Sequence, residues 1–231
     1  MTMTRLLVHV EGQTEEQFVN ELLGPHLVTK GYASVSAKIL GNARSKRNRG
    51  GIRSWESARK DITTHLRQDA GCIATTMVDF YGLPQGNRAW PGRAEAIGPS
   101  ARDKASCVQQ ALLESISKEM GDAFDRKRFV PFVVMYEFEG LLFSDCAVFS
   151  RAIGQPDIEP RLRKIRDAFE TPEDINDSPV TAPSKRVESL VPRYEKPLFG
   201  NRAASEMGLA RIREECPHFA AWLTQLELLA G

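Results

Sequence analysis

The chain has no surplus of one charge. Its 231 residues carry 31 Lys and Arg against 30 Asp and Glu, a formal net charge of +1. That excludes a global attraction to nucleic acid or to an anionic membrane, so any polyanion contact must come from a local patch. Cysteine is sparse. Cys72, Cys107, Cys146 and Cys216 are scattered with no C-x-x-C pair, which argues against a zinc knuckle or a disulfide framework and for a reducing compartment. Cys216-Pro217-His218 sets two ligand types together, but no second pair accompanies them, and the trio reads as packing at a helix start. No apolar run approaches the roughly 18 residues of a membrane span, and there is no secretory signal, repeat or low-complexity tract. The expectation is a cytoplasmic protein without membrane attachment. What remains, 42% hydrophobic and 26% charged residues, is ordinary globular composition in a chain long enough for one sizeable core.

The most informative stretch is Arg5–Phe18, RLLVHVEGQTEEQF. Leu6, Leu7, Val8 and Val10 make an apolar run of strand length, and Glu11-Gly12 ends it. Thr14 and Gln17 have the spacing of a helix capping box, and Glu15 and Glu16 suit the positive end of a helix dipole. Glu11 therefore falls at the carboxyl end of a strand, one tight turn before a helix, where open α/β sheets place their ligands. Gly12 is read as the residue that lets the chain turn sharply.

Along the chain, Phe18, Val19, Leu22 and Leu23 form an apolar helix face, which Gly24-Pro25 is expected to break or kink. Ala33–Leu40 alternates as a half-buried edge strand. A helix follows with Trp55, Ala58, Ile62 and Leu66 inward, then a central strand from Cys72 to Val78 that ends at Asp79. Phe80–Arg102, rich in Gly and Pro around Trp90, reads as a functional loop and a candidate gate over the site. A helix with Val108, Ala111, Leu112 and Ile116 on one face leads to a strand at Phe129–Met135, where Pro131 demands an edge or a bulge. Beyond it stand Glu137 and Glu139.

This alternation gives an α/β fold: three α/β/α layers around a mostly parallel four-stranded sheet of order 2-1-3-4. Residues 1–145 form that unit, and residues 146–231 a helical C-terminal extension packed on it, closed by Phe219, Trp222, Leu223 and Leu226 at helical spacing. Glu11 and Asp79 then face each other across the switch point, with Glu137 and Glu139 ending the next strand. Carboxylates without Cys or His pairs suit Mg²⁺ or Mn²⁺, and two such ions clamp the attacking and leaving oxygens of a phosphodiester. The Gly41–Arg53 loop, with Arg44, Lys46, Arg47, Arg49 and Arg53 and no acid, is placed at the same edge to bind a nucleic-acid backbone. His9, His26 and His65 read as structural.

VEGQTEEQFV, TMVDFYGLP, YEFEGLLFSD, APSKR and GLARIREECPHFAAWLTQLE, nearly end to end, resemble the bacterial family called domain of unknown function 4276. That family is similar to the TOPRIM fold of topoisomerases, primases and the overcoming-lysogenization-defect (OLD) nucleases, and its genes often neighbour those of ABC- or AAA-type ATPases in settings of phage defence. The resemblance implies that Glu11 matches the TOPRIM glutamate after the first strand, a metal ligand or general base, and that Asp79 matches the first acid of its D-x-D. Tyr81 stands where the second aspartate belongs, so Glu137 or Glu139 must supply the missing oxygen. Lys185 is similar in placement to a late lysine that stabilises phosphate charge in the OLD nucleases.

The leading expectation is a metal-dependent TOPRIM-type nuclease acting on DNA or RNA, the effector of an ATPase-partnered defence system and gated by that partner. Two others stay open: an inert TOPRIM-like module that binds an ATPase or nucleic acid, and a hydrolase of a small phosphorylated molecule. A homo-oligomer is left open too.

Overall fold

The computed structural model describes residues 3–40, 52–98, 100–176 and 178–230. β1 (Arg5–Val10) pairs in parallel with β2 (Ser34–Ile39) on one side and with β3 (Cys72–Asp79) on the other. β4 (Phe129–Val130) and β5 (Val133–Val134) both pair in parallel with β3. The order is β2-β1-β3-β4, as the alternation of strands and helices requires, with β5 beside the far end of β3. β3 is buried throughout, whereas β2 is half-buried with Ser34, Ser36 and Lys38 exposed, the mark of an edge. Pro131 has no N–H for the ladder and splits the fourth strand in two. At the split, Thr76 Oγ1 accepts from the Phe132 N–H at 2.9 Å and donates to the Phe132 carbonyl at 2.8 Å, replacing the lost ladder contact.

Helices cover both faces. α1 (Gln13–Phe18) runs through a π-turn at Val19–Leu23 into α2 (Gly24–Thr29). The expected break at Gly24-Pro25 does not occur. The wider turn just before Pro25 relieves the clash a regular helix would force on its ring. α3 (Trp55–Gln68) and α4 (Ala101–Met120) pack on the face of Ala74, Val78, Phe129 and Val133. The opposite face, with Leu6, Val8, Val10, Ile73 and Met77, lies in one core with α1 and the C-terminal helices.

Those C-terminal helices are α5 (Glu139–Leu142), α6 (Cys146–Ala152), α7 (Glu159–Arg166), α8 (Pro183–Leu190), α9 (Asn201–Glu215) and α10 (Pro217–Leu228). Trp222 of α10 stacks on Phe132 with centroids 4.3 Å apart, and its Nε1 donates to Thr75 Oγ1 at 2.9 Å. Residues 146–230 thus share a core with the sheet. Among the described residues no helix is long and apolar enough to cross a membrane.

The loop expected as a gate is packed down in its described part. Trp90 is buried, lies 4.9 Å from the Trp55 ring, and donates from Nε1 to the Arg53 carbonyl at 3.0 Å. Gly92 (φ 76°) sits so close to α4 that a Cβ would come within 2.8 Å of the Cys107 carbonyl oxygen and Val108 Cα.

Candidate active site at the carboxyl edge of the sheet

The parallel sheet brings the ends of β1 and β3 side by side, and with them Glu11 and Asp79. The Asp79 N–H donates to Glu11 Oε2 at 3.2 Å, and Asp79 Oδ1 accepts from the Phe138 N–H at 2.9 Å. The glycine that makes this packing possible is Gly82, where any Cβ would collide with both Glu11 carboxylate oxygens. Gly12, expected to be the sharp turn, instead has extended backbone (φ −153°) and serves as the N-cap of α1.

The capping pattern also differs from the expected Thr14–Gln17 pair. Glu15, three residues past the cap, accepts from the Gly12 N–H at 2.9 Å, while the Gln17 side chain accepts from Asn201 Nδ2 of α9 at 3.0 Å. Glu15, whose sequence position suits a helix dipole, is buried and belongs to the acid cluster.

Glu137 and Glu139 arrive by a turn rather than on an extended segment. The Glu137 N–H donates to the Met135 carbonyl at 2.8 Å, and Glu139 opens α5. The residue before them, Tyr136, has φ 60°, the one non-glycine positive φ among the described residues. Such strain costs on the order of 1–3 kcal/mol and concentrates at functional sites.

Among the described residues, the cation that ion-pairs with these acids is Lys196, which sequence reasoning missed. Lys196 Nζ lies 3.0 Å from Glu139 Oε2 and 3.8 Å from Glu137 Oε1. Glu137 Oε2 also accepts from the Ser184 N–H at the start of α8, at 2.8 Å. Glu139 is fully buried, and its Oε1 has no partner among the described residues. The Tyr194 hydroxyl, raised by burial and by the charges of Glu139 and Glu137, is likewise buried and unpartnered. Among the described residues, five carboxylates — Glu11, Glu15, Asp79, Glu137 and Glu139 — therefore share the Lys196 ammonium.

The imbalance shows in their protonation. Burial, then Glu15, raises Glu11; burial, then Glu11 and Glu15, raises Asp79. Burial pushes Glu139 up to about 6 against the pull of Lys196. An edge this acidic holds protons or recruits cations. All its donors are hard oxygens, which suits Mg²⁺ or Mn²⁺ and not a soft metal. Among the described residues no three His, Cys, Asp or Glu side chains are grouped to hold one ion together. The arrangement fits an ion held by one or two carboxylates with the rest of its shell from substrate and water, as is usual for Mg²⁺.

Other expected residues fall elsewhere. Lys185 pairs with Glu188 at 2.7 Å on the exposed face of α8; the cation on the acids is Lys196. Arg44, Lys46, Arg47 and Arg49 lie outside the described residues. Arg53 is half-buried and 4.0 Å from Asp61. His9 is buried against His65 with ring nitrogens 3.2 Å apart, burial and His65 pushing it down to about 3, and His26 meets Glu227 at 2.7 Å. His218 stacks on Phe132, and the N-terminus of α10 is capped by Glu173, which accepts from the His218 and Phe219 N–H groups at 2.7 and 2.9 Å.

A family model described as Domain of unknown function (DUF4276) matches residues 10–227. Among solved structures, the C-terminal region of the Xanthomonas campestris pv. campestris OLD protein matches with 13% identity and a TM-score of 0.36, over 97% of this chain and 98% of that one. No curated protein matches.

Proposed function

The chain belongs to the family described as Domain of unknown function (DUF4276), and from its acid edge we propose that it is a divalent-metal-dependent phosphodiesterase acting on DNA or RNA. The observation that carries this reading is the uncompensated charge at the switch point: five acids around Lys196, two of them, Glu11 and Asp79, joined across adjacent strand ends. Bound Mg²⁺ or Mn²⁺ supplies Lewis-acid stabilisation of a phosphoryl oxygen. Glu11 and Asp79 are the residues that would hold it, and Glu11, raised first by burial and then by Glu15, would also take a proton from attacking water. Lys196, tethered to Glu139 and Glu137, offers a fixed positive charge to the developing phosphate charge, the role first expected of Lys185. Glu15 and Glu137 keep the backbone at Gly12 and Ser184 in place.

The basic loop from Gly41 to Arg53 would track the backbone. By the family resemblance, an ABC- or AAA-type ATPase encoded nearby is the partner and phage defence the setting. A second reading, an inert module that binds an ATPase, is favoured by Tyr81 in the place of an acid and by the lack of a closed three-ligand group among the described residues. Cleavage of plasmid DNA and transfer RNA with Mn²⁺, with and without the neighbouring ATPase, separates the two. The nuclease reading requires metal-dependent cleavage that Glu11→Gln and Asp79→Asn each abolish. Silence in every combination, with Glu11 dispensable for defence in cells, establishes the inert module.

A further inference from the structure

Tyr81 is two residues past Asp79, and its N–H donates to the Tyr136 carbonyl at 3.1 Å, which fixes it beside the strained turn into Glu137. The Tyr81 and Tyr136 rings lie 5.4 Å apart, tilted by 44°, and Phe80 closes the group at 6.2 Å from Tyr81 and 6.1 Å from Tyr136. Tyr136 is buried, but Tyr81 remains half-exposed. Burial and the nearby Glu137 hold its phenol protonated, so it does not stand in for the missing carboxylate. Beside it, Arg93 lies 3.8 Å over the Phe80 ring and donates from Nε to the Phe80 carbonyl at 3.0 Å. Its terminal nitrogens make no ion pair among the described residues, although it is half-buried, and its charge reaches Tyr81.

We propose that Tyr81 and Arg93 form a nucleotide subsite at the acid edge, with the Tyr81 ring stacking a base next to the scissile phosphate and Arg93 receiving the flanking phosphate. The inference rests on the phosphodiesterase reading and deepens it by naming what the substrate must carry. A ring already held by its backbone bond to Tyr136 and by contact with the Tyr136 and Phe80 rings loses little freedom on stacking, and every base offers a π-face, so the subsite tolerates sequence but requires a base. An arginine whose Nε is tied to a carbonyl keeps its outer N–H groups for a phosphate.

The test measures binding of two fluorescent single-stranded probes in Ca²⁺: an oligothymidylate, and an abasic oligomer of the same length and charge. Circular dichroism melting of every variant confirms folding. The wild type is expected to bind the base-bearing probe about tenfold more tightly, the lower part of the range for one stacked base. Tyr81→Ala should remove that ratio and Tyr81→Phe should keep most of it. Arg93→Ala should weaken both probes alike and flatten the salt dependence by about one phosphate contact. Equal wild-type affinity for both probes, a ratio that survives Tyr81→Ala, or a ratio lost in Tyr81→Phe overturns the subsite. Base-independent binding together with Glu11-dependent Mn²⁺ binding sinks the subsite alone. Absence of both nucleic-acid and Mn²⁺ binding sinks the phosphodiesterase reading with it.

Discussion

Two clusters of charge in this molecule are built on opposite principles. At the end of α10, one carboxylate, Glu227, meets two cations and a histidine ring: Arg213 at 3.0 Å, Lys30 at 3.9 Å and His26 at 2.7 Å. Its pKa is lowered, with hydrogen bonds from His26 and Arg213 outweighing its partial burial. At the carboxyl edge of the sheet, five carboxylates meet Lys196, and burial raises Glu11, Asp79 and Glu139. The first arrangement ties α2, α9 and α10 together. The second works against folding, a cost that supports the proposed cation site. The contrast generates predictions of opposite sign.

The largest effect is expected at Lys196. Lys196→Met leaves Glu139, fully buried, without its cation, and should destabilise the protein by roughly 2–3 kcal/mol. That is less than the 3–5 kcal/mol of a fully enclosed pair, because the Lys196 side chain is 38% exposed. Adding Glu139→Gln should restore most of that stability but not the cleavage activity, as chemical denaturation and a nuclease assay would show. Recovery of both would make Lys196 purely structural.

Removing a carboxylate should have opposite consequences in the two clusters. Without metal, Glu11→Gln is expected to stabilise by about 1 kcal/mol, because it relieves like-charge crowding while keeping an acceptor for the Asp79 N–H. Glu227→Gln should destabilise by about 1 kcal/mol and leave activity unchanged. Shifts of the same sign in thermal melts would end the comparison.

The pH response should divide in the same way. Carboxyls raised in the folded state bind protons more tightly there, so their contribution is full below the usual 4.5 and is lost as pH rises through the folded values, about 6 for Glu139 and higher still for Glu11. Metal-free stability should therefore fall from pH 5 to pH 8, and Mn²⁺ should reduce that fall. Glu227, lowered in the folded state, contributes above its unfolded value and loses that contribution as pH falls through the folded one. A flat metal-free profile from pH 5 to 8 would contradict the crowding.

The smallest effect concerns the basic loop. Replacing Arg47 and Arg49 with alanine should flatten the salt dependence of duplex DNA binding by roughly 0.9 log units per log unit of salt for each lost phosphate contact. An unchanged slope would make the loop an ordinary solvated one.

Much of the sheet was legible because its signals are local. Strand-length apolar runs alternate with amphipathic helices, and Pro131 marks its own break. Glu11 and Asp79 were legible because each ends a strand. Glu15 was not: at the third helical position an acid looks the same whether it faces water or folds back on the cap, and the burial comes from tertiary packing of α1 against α9 and the Lys196 turn. Lys196 sits in a polar stretch without periodicity, brought to the acids by a π-turn at Lys196–Gly200 that leads into α9. Its one sequence cue is a lysine flanked by Tyr194, Pro197 and Phe199, residues of a packed segment. Lys185 misled because it opens the helix whose Ser184 N–H binds Glu137, while its own side chain turns to Glu188. In the Phe80–Arg102 loop, expected from its composition as a gate, Gly92 and Trp90 make contacts that hold the described part down.

The central claim, that the unbalanced edge is a divalent-cation site, is tested most directly by isothermal titration of Mn²⁺ into the wild type and Glu11→Gln at neutral pH. The account predicts saturable binding to the wild type with proton release, and at least tenfold weaker binding to the variant. Equal Mn²⁺ affinity in the two proteins would contradict it.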